Sequence, residues 1–102
     1  MFDYEKALPL IIGYVDNMGD QRVVLPTPSI KSADLIWRRI NQRRKSNELV
    51  TMGDQIDCVL SVLQQENPWV TRDFLLNQTA NRISNLFTLF VNELSKNAEK
   101  NE

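Results

Sequence analysis

The chain has 102 residues, of which 42% are hydrophobic and 25% are charged, and its formal net charge is −1. This length predicts one domain that buries roughly two-thirds of the surface its unfolded form exposes. The composition is typical of a folded globular protein and excludes wholesale disorder.

The residue types that usually perform catalysis and bind metals are scarce. The chain has no histidine and a single cysteine, Cys58, so it lacks the usual general base, the usual zinc ligands and an internal disulfide. Its acidic residues are scattered singly, and Gly13, Gly19 and Gly53 lie too far apart to form a phosphate-binding loop. We therefore expect a protein that is not an enzyme and that binds no cofactor and no metal.

Hydropathy and cysteine content indicate in which cellular compartment the protein is expected. No apolar run approaches the ~20 residues that span a bilayer, and no basic segment followed by an apolar stretch opens the chain. One cysteine is consistent with a reducing compartment. The sequence predicts a cytoplasmic protein without a membrane partner.

Residues 10–25 support two interpretations. A helix is favoured, with Pro9 in its first turn, because apolar residues recur at helical spacing. A short β-hairpin is the alternative, because two apolar runs flank the turn sequence DNMGDQ. Pro26 and Pro28 then require an extended segment. The apolar residues at helical spacing are Leu8, Ile11, Ile12, Val15 and Met18.

The sequence after Pro28 predicts four consecutive helices. Ser32 is the expected N-cap of a helix that ends near Lys45. Thr51 and Asp54 form a capping-box pattern at the start of a helix predicted over Met52 to Glu66. The segment WVTRDFLLNQ predicts a helix of about two turns, and Thr79 is the expected N-cap of a long amphipathic helix.

The fold class predicted from these elements is all-α. We expect a small helical bundle of about four to five helices, with a short hairpin near residues 10–25 as the open alternative. Residues 1–97 form the single predicted domain. Residues 98–102 form a frayed tail, because the sequence beyond Lys96 has no large apolar residue.

The clearest functional signal is the segment IWRRINQRRK at residues 36–45, in which five of ten residues are basic. Residues 31–45 contain six basic side chains and one acid, a net charge of +5, so the rest of the chain carries −6. Such a local positive field attracts phosphates or an acidic protein surface.

The positions of these cations around the helix favour a protein partner over DNA. Arg38 and Lys45 lie on one flank of the apolar stripe, Arg39 and Arg43 lie on the other, and Arg44 continues the stripe. A helix that reads a DNA groove presents its donors together, opposite the core. The alternative is that these cations have no binding function: their aliphatic stems cover the edges of the apolar stripe while their charged groups stay in water.

Three residues outside this helix are further candidates for contact with a partner. Trp69 follows Asn67-Pro68 at a helix junction, and Arg72 and Arg82 bracket the short helix. A DNA-binding regulator of helix-turn-helix type is the alternative function, because a short helix here leads into a longer one. The predicted partner-binding residues are Arg38, Arg39, Arg43, Arg44, Lys45, Trp69, Arg72 and Arg82.

The predicted function is therefore that of a small adaptor, inhibitor or chaperone that binds a protein with an acidic surface. A homodimer is also predicted, because Leu89 and Val91 widen the apolar band of the last helix beyond one stripe.

Overall fold

The structure is a computed structural model that describes residues 14–100, with side chains for residues 15–96. The described residues form a mainly α fold, in which one antiparallel hairpin precedes four helices. The elements are β1 (Tyr14–Met18), β2 (Gln21–Leu25), α1 (Ile30–Lys45), α2 (Met52–Leu63), α3 (Arg72–Leu76) and α4 (Ala80–Lys100).

A hairpin is present, as in the alternative interpretation, and the helical interpretation is wrong for Tyr14–Met18. The predicted turn DNMGDQ is too long, because its first three residues belong to β1 and its last belongs to β2. The part of the predicted helix before Tyr14 lies outside the described residues. Met18 pairs with Gln21 across a two-residue turn, and Gly19 has a φ of 69°, at the position where a type II′ turn requires glycine. Val15 and Met18 fit a helical spacing, but strand pairing buries Met18 beside Val23.

Helix α1 begins earlier than predicted, because Ser29 is its N-cap and not Ser32. The Ser29 side chain accepts a hydrogen bond from the backbone N–H of Ser32. Ser32 is itself buried, and its Oγ lies 2.8 Å from Oγ of Ser61 and 3.0 Å from Oε1 of Gln65. Ser32 therefore joins α1 to α2 instead of capping α1.

The predicted capping box of α2 is confirmed. Thr51 accepts from the backbone N–H of Asp54, and Asp54 accepts from the backbone N–H of Thr51. The helix ends at Leu63 and not at Glu66, because the N–H groups of Gln65 and Glu66 bond to carbonyls three residues back and not four.

The last two helices differ in how well the sequence predicts them. Helix α3 has five residues and not two turns, because Asn77 closes it with bonds to the Asp73 carbonyl. Thr79 accepts from the backbone N–H of Arg82, as predicted for the N-cap of α4. That helix continues to Lys100, so its helical backbone includes part of the predicted tail; residues 101–102 lie outside the described residues.

The core lies between α2, α4 and the hairpin. Leu63 and Phe90 are fully buried, whereas Leu60 and Phe87 are only partly buried against the core. The buried apolar side chains are Met18, Val23, Leu25, Ile36, Ile56, Cys58, Val59, Val62, Leu63, Val70, Leu75, Ile83, Leu86 and Phe90.

Two side-chain amides attach the hairpin and its extended continuation to the end of α2. Asn67 is buried and accepts from the N–H of Val24 at 3.0 Å, while its Nδ2 donates to the carbonyls of Val24 at 2.7 Å and Leu63 at 2.8 Å. Gln65 accepts from the N–H of Ser29 and donates to the carbonyl of Thr27. These amides supply the hydrogen bonds that a third strand would make along β2.

We predict that Asn67→Ala lowers the free energy of unfolding by about 1–3 kcal/mol, because it leaves three backbone groups without this partner. Asn67→Asp should destabilise the fold less at pH 3 than at pH 7, because below pH ~4 its carboxyl group is protonated and can donate to a carbonyl. Urea unfolding at pH 3 and pH 7 measures both effects. The exposed Asn41→Ala is the matched control, with a change within about 0.5 kcal/mol. An equally small change for Asn67→Ala would contradict the role of this amide.

Candidate protein-binding surface

One flank of the basic helix α1 faces into the protein and pairs with α2. Arg39 donates to Asp54 at 2.9 Å, and Arg43 donates to the other oxygen of the same carboxylate at 2.8 Å. The side chains of both arginines are 31% exposed, whereas that of Asp54 is 4% exposed. Two of the predicted partner-binding residues therefore make ion pairs within the chain.

The ion pairs continue from α1 to α3 through a second carboxylate. Arg39 also donates to Asp57 at 2.9 Å, and the other oxygen of Asp57 accepts from Arg72. Alternating charges thus run through Arg43, Asp54, Arg39, Asp57 and Arg72, and join three helices. We call these five residues the ion-pair network.

The Asp54 carboxylate is the most strongly perturbed member of this network. Its hydrogen bond from Arg43, together with those from the Thr51 backbone, Arg39 and the Thr51 hydroxyl, holds its pKa well below the usual range and outweighs the effect of burial. The same bonds raise the pKa of both Arg39 and Arg43. The carboxylate is therefore ionised at any pH near neutrality.

The opposite side of α1 faces solvent, and we call it the outer face. It forms a shallow groove of about 700 Å³ with Trp37 partly buried. Arg38 pairs with Asp34 one turn away, and both side chains are largely exposed. The outer face is lined by Asp34, Trp37, Arg38, Asn41, Gln42, Lys45 and Ser46.

The end of α1 carries further exposed cations. Arg44 and Lys45 are exposed, and no carboxylate among the described residues lies within ion-pair distance of either. Leu49, on the following loop, is 90% exposed and lines a second groove with Arg44. This end of the molecule combines positive charge with an exposed apolar side chain.

The other predicted contact residues lie on separate parts of the surface. Trp69 is 46% exposed and packs edge to face against Phe74, with ring centroids 5.3 Å apart. Arg82 donates to Asp16 at 2.5 Å and joins α4 to β1. The predicted site residues are therefore divided among the outer face, the ion-pair network, the α2–α3 corner and the hairpin.

Comparisons with known protein families, with curated proteins and with solved structures find no match.

The described part of the chain also has no group of His, Cys, Asp and Glu side chains that could hold a metal ion. No described helix is long and apolar enough to cross a membrane. Cys58 is buried, and this burial raises the pKa of its thiol to about 11, so the thiol is protonated near neutral pH.

Sequence reasoning missed residues on both sides of α1. The spacing of α1 predicts Trp37 on the apolar stripe with Ile36 and Ile40, but Trp37 lies partly exposed in the groove with Asn41 and Gln42. The polar Asn41, one turn after Trp37, was the available signal. Asp54 was recognised as a capping residue only. No local pattern indicated that it also binds two arginines, because these lie 11 and 15 residues away in the sequence.

The predicted homodimer stays a prediction. Leu89 and Val91, the side chains that suggested it, are partly buried and pack against the core of the same chain. The DNA-binding alternative also stays untested. Arg82, near the start of the longer helix in that alternative, is engaged with Asp16.

We predict that Asp54→Asn lowers the free energy of unfolding by about 2–4 kcal/mol at pH 7, because Arg39 and Arg43 then lose their shared counter-charge. The pH dependence has a definite sign. Because the folded-state pKa is depressed, stability from Asp54 is fully present above the unfolded pKa of about 3.9 and is lost as the pH falls toward the folded value. Urea unfolding at pH 7 and pH 3 should therefore give a larger difference between wild type and variant at pH 7.

Asp34→Asn is the matched control, because Asp34 also accepts from an arginine but both partners are largely exposed. Its effect should stay below about 1 kcal/mol. Equal effects of the two substitutions, or a difference independent of pH, would contradict the importance of the ion-pair network.

Proposed function

We infer that this chain is a small non-enzymatic interaction protein that binds an acidic segment of another protein on the outer face of α1. The observation that carries this inference is the asymmetry of α1. Its inward cations are paired with Asp54 and Asp57, whereas its outward cations surround a partly exposed tryptophan.

The division of charge supports an acidic partner. The ion-pair network uses the positive charge of Arg39 and Arg43 inside the chain. Arg44 and Lys45 keep theirs available at the surface, and Arg38 shares its charge only with the exposed Asp34. A carboxylate from a partner can pair with these three side chains without breaking a buried interaction.

Trp37 supplies the apolar part of such an interface. Tryptophan and arginine are enriched at binding hot spots, because each combines a large contact area with a directional polar group. Trp37 is flanked in its groove by Asn41 and Gln42, whose amides can bond to the backbone of a bound segment. The favoured ligand has an apolar side chain for Trp37 and carboxylates on either side of it.

The ion-pair network also prepares α1 for binding. It ties α1 to α2 through the buried Asp54 and to α3 through Asp57 and Arg72. A helix held in this way presents its outer face without reorganising, so less free energy is spent on ordering when a partner binds. Arg39, Arg43 and Arg72 act in this proposal as positioning residues and not as contacts.

The test uses two synthetic peptides of equal length as probes, one of alternating Glu and Leu and one with Lys in place of every Glu. In a Trp69→Phe background, Trp37 is the only tryptophan and reports binding by its fluorescence. The acidic peptide should bind and perturb Trp37, and the basic peptide should not. Arg38→Glu combined with Lys45→Glu should weaken binding at least about tenfold by placing like charges together.

Arg22→Glu combined with Lys31→Glu is the matched control, because both side chains are exposed, lie outside the groove and change the net charge equally. It should leave affinity within about twofold. Equal binding of both peptides, or no effect of the outer-face reversal, would contradict the proposal. Binding of duplex DNA instead, with a logarithmic salt slope of ~0.9 per phosphate contacted, would favour the DNA-binding alternative.

A further inference from the structure

The second groove of α1 adjoins the outer face at the end of the helix, and we call it the loop groove. It has a volume of about 320 Å³ and lies between the last turn of α1 and the loop that leads to α2. Arg44, at its rim, follows Trp37 by almost two full helical turns, so it lies nearly in line with Trp37 and about 10 Å further along α1. The loop groove is lined by Ile40, Arg44, Asn47, Glu48, Leu49 and Val50.

The backbone of this loop is fixed by the way in which α1 ends. The N–H of Glu48 donates to the Arg43 carbonyl at 2.8 Å. The N–H of Asn47 donates to the Arg44 carbonyl at 3.0 Å, and Asn47 has a φ of 56°. These bonds form a Schellman motif, in which a residue in the left-handed conformation closes the helix. Leu49 therefore follows a helix end of fixed geometry.

Leu49 contributes to neither of the two helix-end motifs that it separates. The residue after the left-handed one often makes an apolar contact in a Schellman motif, but here that residue is Glu48, which lies 3.9 Å from Arg43. The capping box of α2 begins only at Thr51. Leu49 is 90% exposed, so an apolar group of a partner can cover it without first ordering the loop.

The charges around the loop groove favour an acidic segment that enters from the outer face. Arg44 and Lys45 are exposed and consecutive, and Lys45 lines the outer face. Glu48 lies in the groove and pairs with Arg43. A segment that passes over Lys45 therefore meets Arg44 next, while Glu48 repels a carboxylate that enters the groove itself. The side chain that enters the groove is accordingly an apolar one.

The distance between the two grooves sets the spacing of apolar side chains in the ligand. An extended chain covers about 10 Å in three to four residues. Because side chains alternate along an extended chain, the fourth residue after a given one points to the same side and the third does not. An extended ligand therefore reaches Trp37 and the loop groove with side chains four residues apart.

We propose that the loop groove is a second apolar subsite for the acidic segment bound on the outer face, an inference that rests on the proposed function. One apolar side chain of the segment contacts Trp37, and the side chain four residues along enters the loop groove beside Leu49. Carboxylates between them pair with Arg44 and Lys45. The partner thus presents an extended acidic segment with two apolar residues at this spacing.

The test uses two acidic peptides of equal length, one with two leucines four residues apart and one with glutamine in place of the second leucine. The fluorescence of Trp37 in the full chain with Trp69→Phe measures the affinity of each peptide. The two-leucine peptide should bind at least about tenfold more tightly. Leu49→Gln should reduce this ratio to within about twofold, because the second leucine then loses its apolar contact.

Ile30→Gln is the matched control, because Ile30 is also 90% exposed and lies outside both grooves. It should leave the tenfold ratio unchanged. Since both side chains are exposed, neither substitution should disturb the fold.

The outcomes separate this inference from the proposed function. Equal affinity of the two peptides, or a ratio that Leu49→Gln leaves unchanged, would overturn the second subsite while the proposed function stands. Binding of neither peptide would overturn both. Sedimentation of the free chain as a dimer that Leu49→Gln dissociates, and Ile30→Gln does not, would assign the loop groove to a second copy and also overturn the inference.

Discussion

The carboxylate of Asp54 is the group on which the arrangement of the helices depends. It caps α2 through Thr51, and it also accepts hydrogen bonds from Arg39 and Arg43 of α1. A carboxylate that is only 4% exposed requires such partners, because burying an unpaired charge is costly. The start of α2 and the inward flank of α1 are therefore fixed by the same group, and Asp57 extends this connection to α3.

Two side-chain amides fix the hairpin and the segment after it to the end of α2. The hairpin alone is too small to be stable, since two strands need further packing or pairing. Asn67 and Gln65 follow α2 and bond to the backbone on both sides of Pro26, at Val24 and at Thr27 and Ser29. The prolines prevent this stretch from forming a helix, and the amides satisfy backbone groups that a proline-containing segment cannot pair in a regular ladder.

These internal contacts determine which surfaces are free for a partner. A basic helix would otherwise present cations on both flanks, but one flank is neutralised within the chain, and the accessible positive charge lies on the outer face and at Lys31 and Arg44 near the helix ends. Each candidate contact surface is thus what remains after the chain has satisfied its own charged and polar groups.

The sequence by itself determined the features that depend on neighbouring residues. The capping box of Thr51 and Asp54, the N-cap at Thr79 and the start of α2 involve residues within one helical turn, so their patterns were sufficient. The position of the cations around α1 was also readable from their spacing. The all-α expectation held for most of the described residues, and no local signal excluded the hairpin or the helix at residues 14–18.

Only the tertiary structure decided between such alternatives. The hairpin is stabilised by contact with Asn67, which is 43 residues from Val24, and by the ion pair of Asp16 with Arg82 across 66 residues. Which flank of α1 is neutralised depends on Asp54 and Asp57. Caps and apolar periodicity act over three or four residues, whereas a buried charge or amide takes whichever partner the folded chain brings to it.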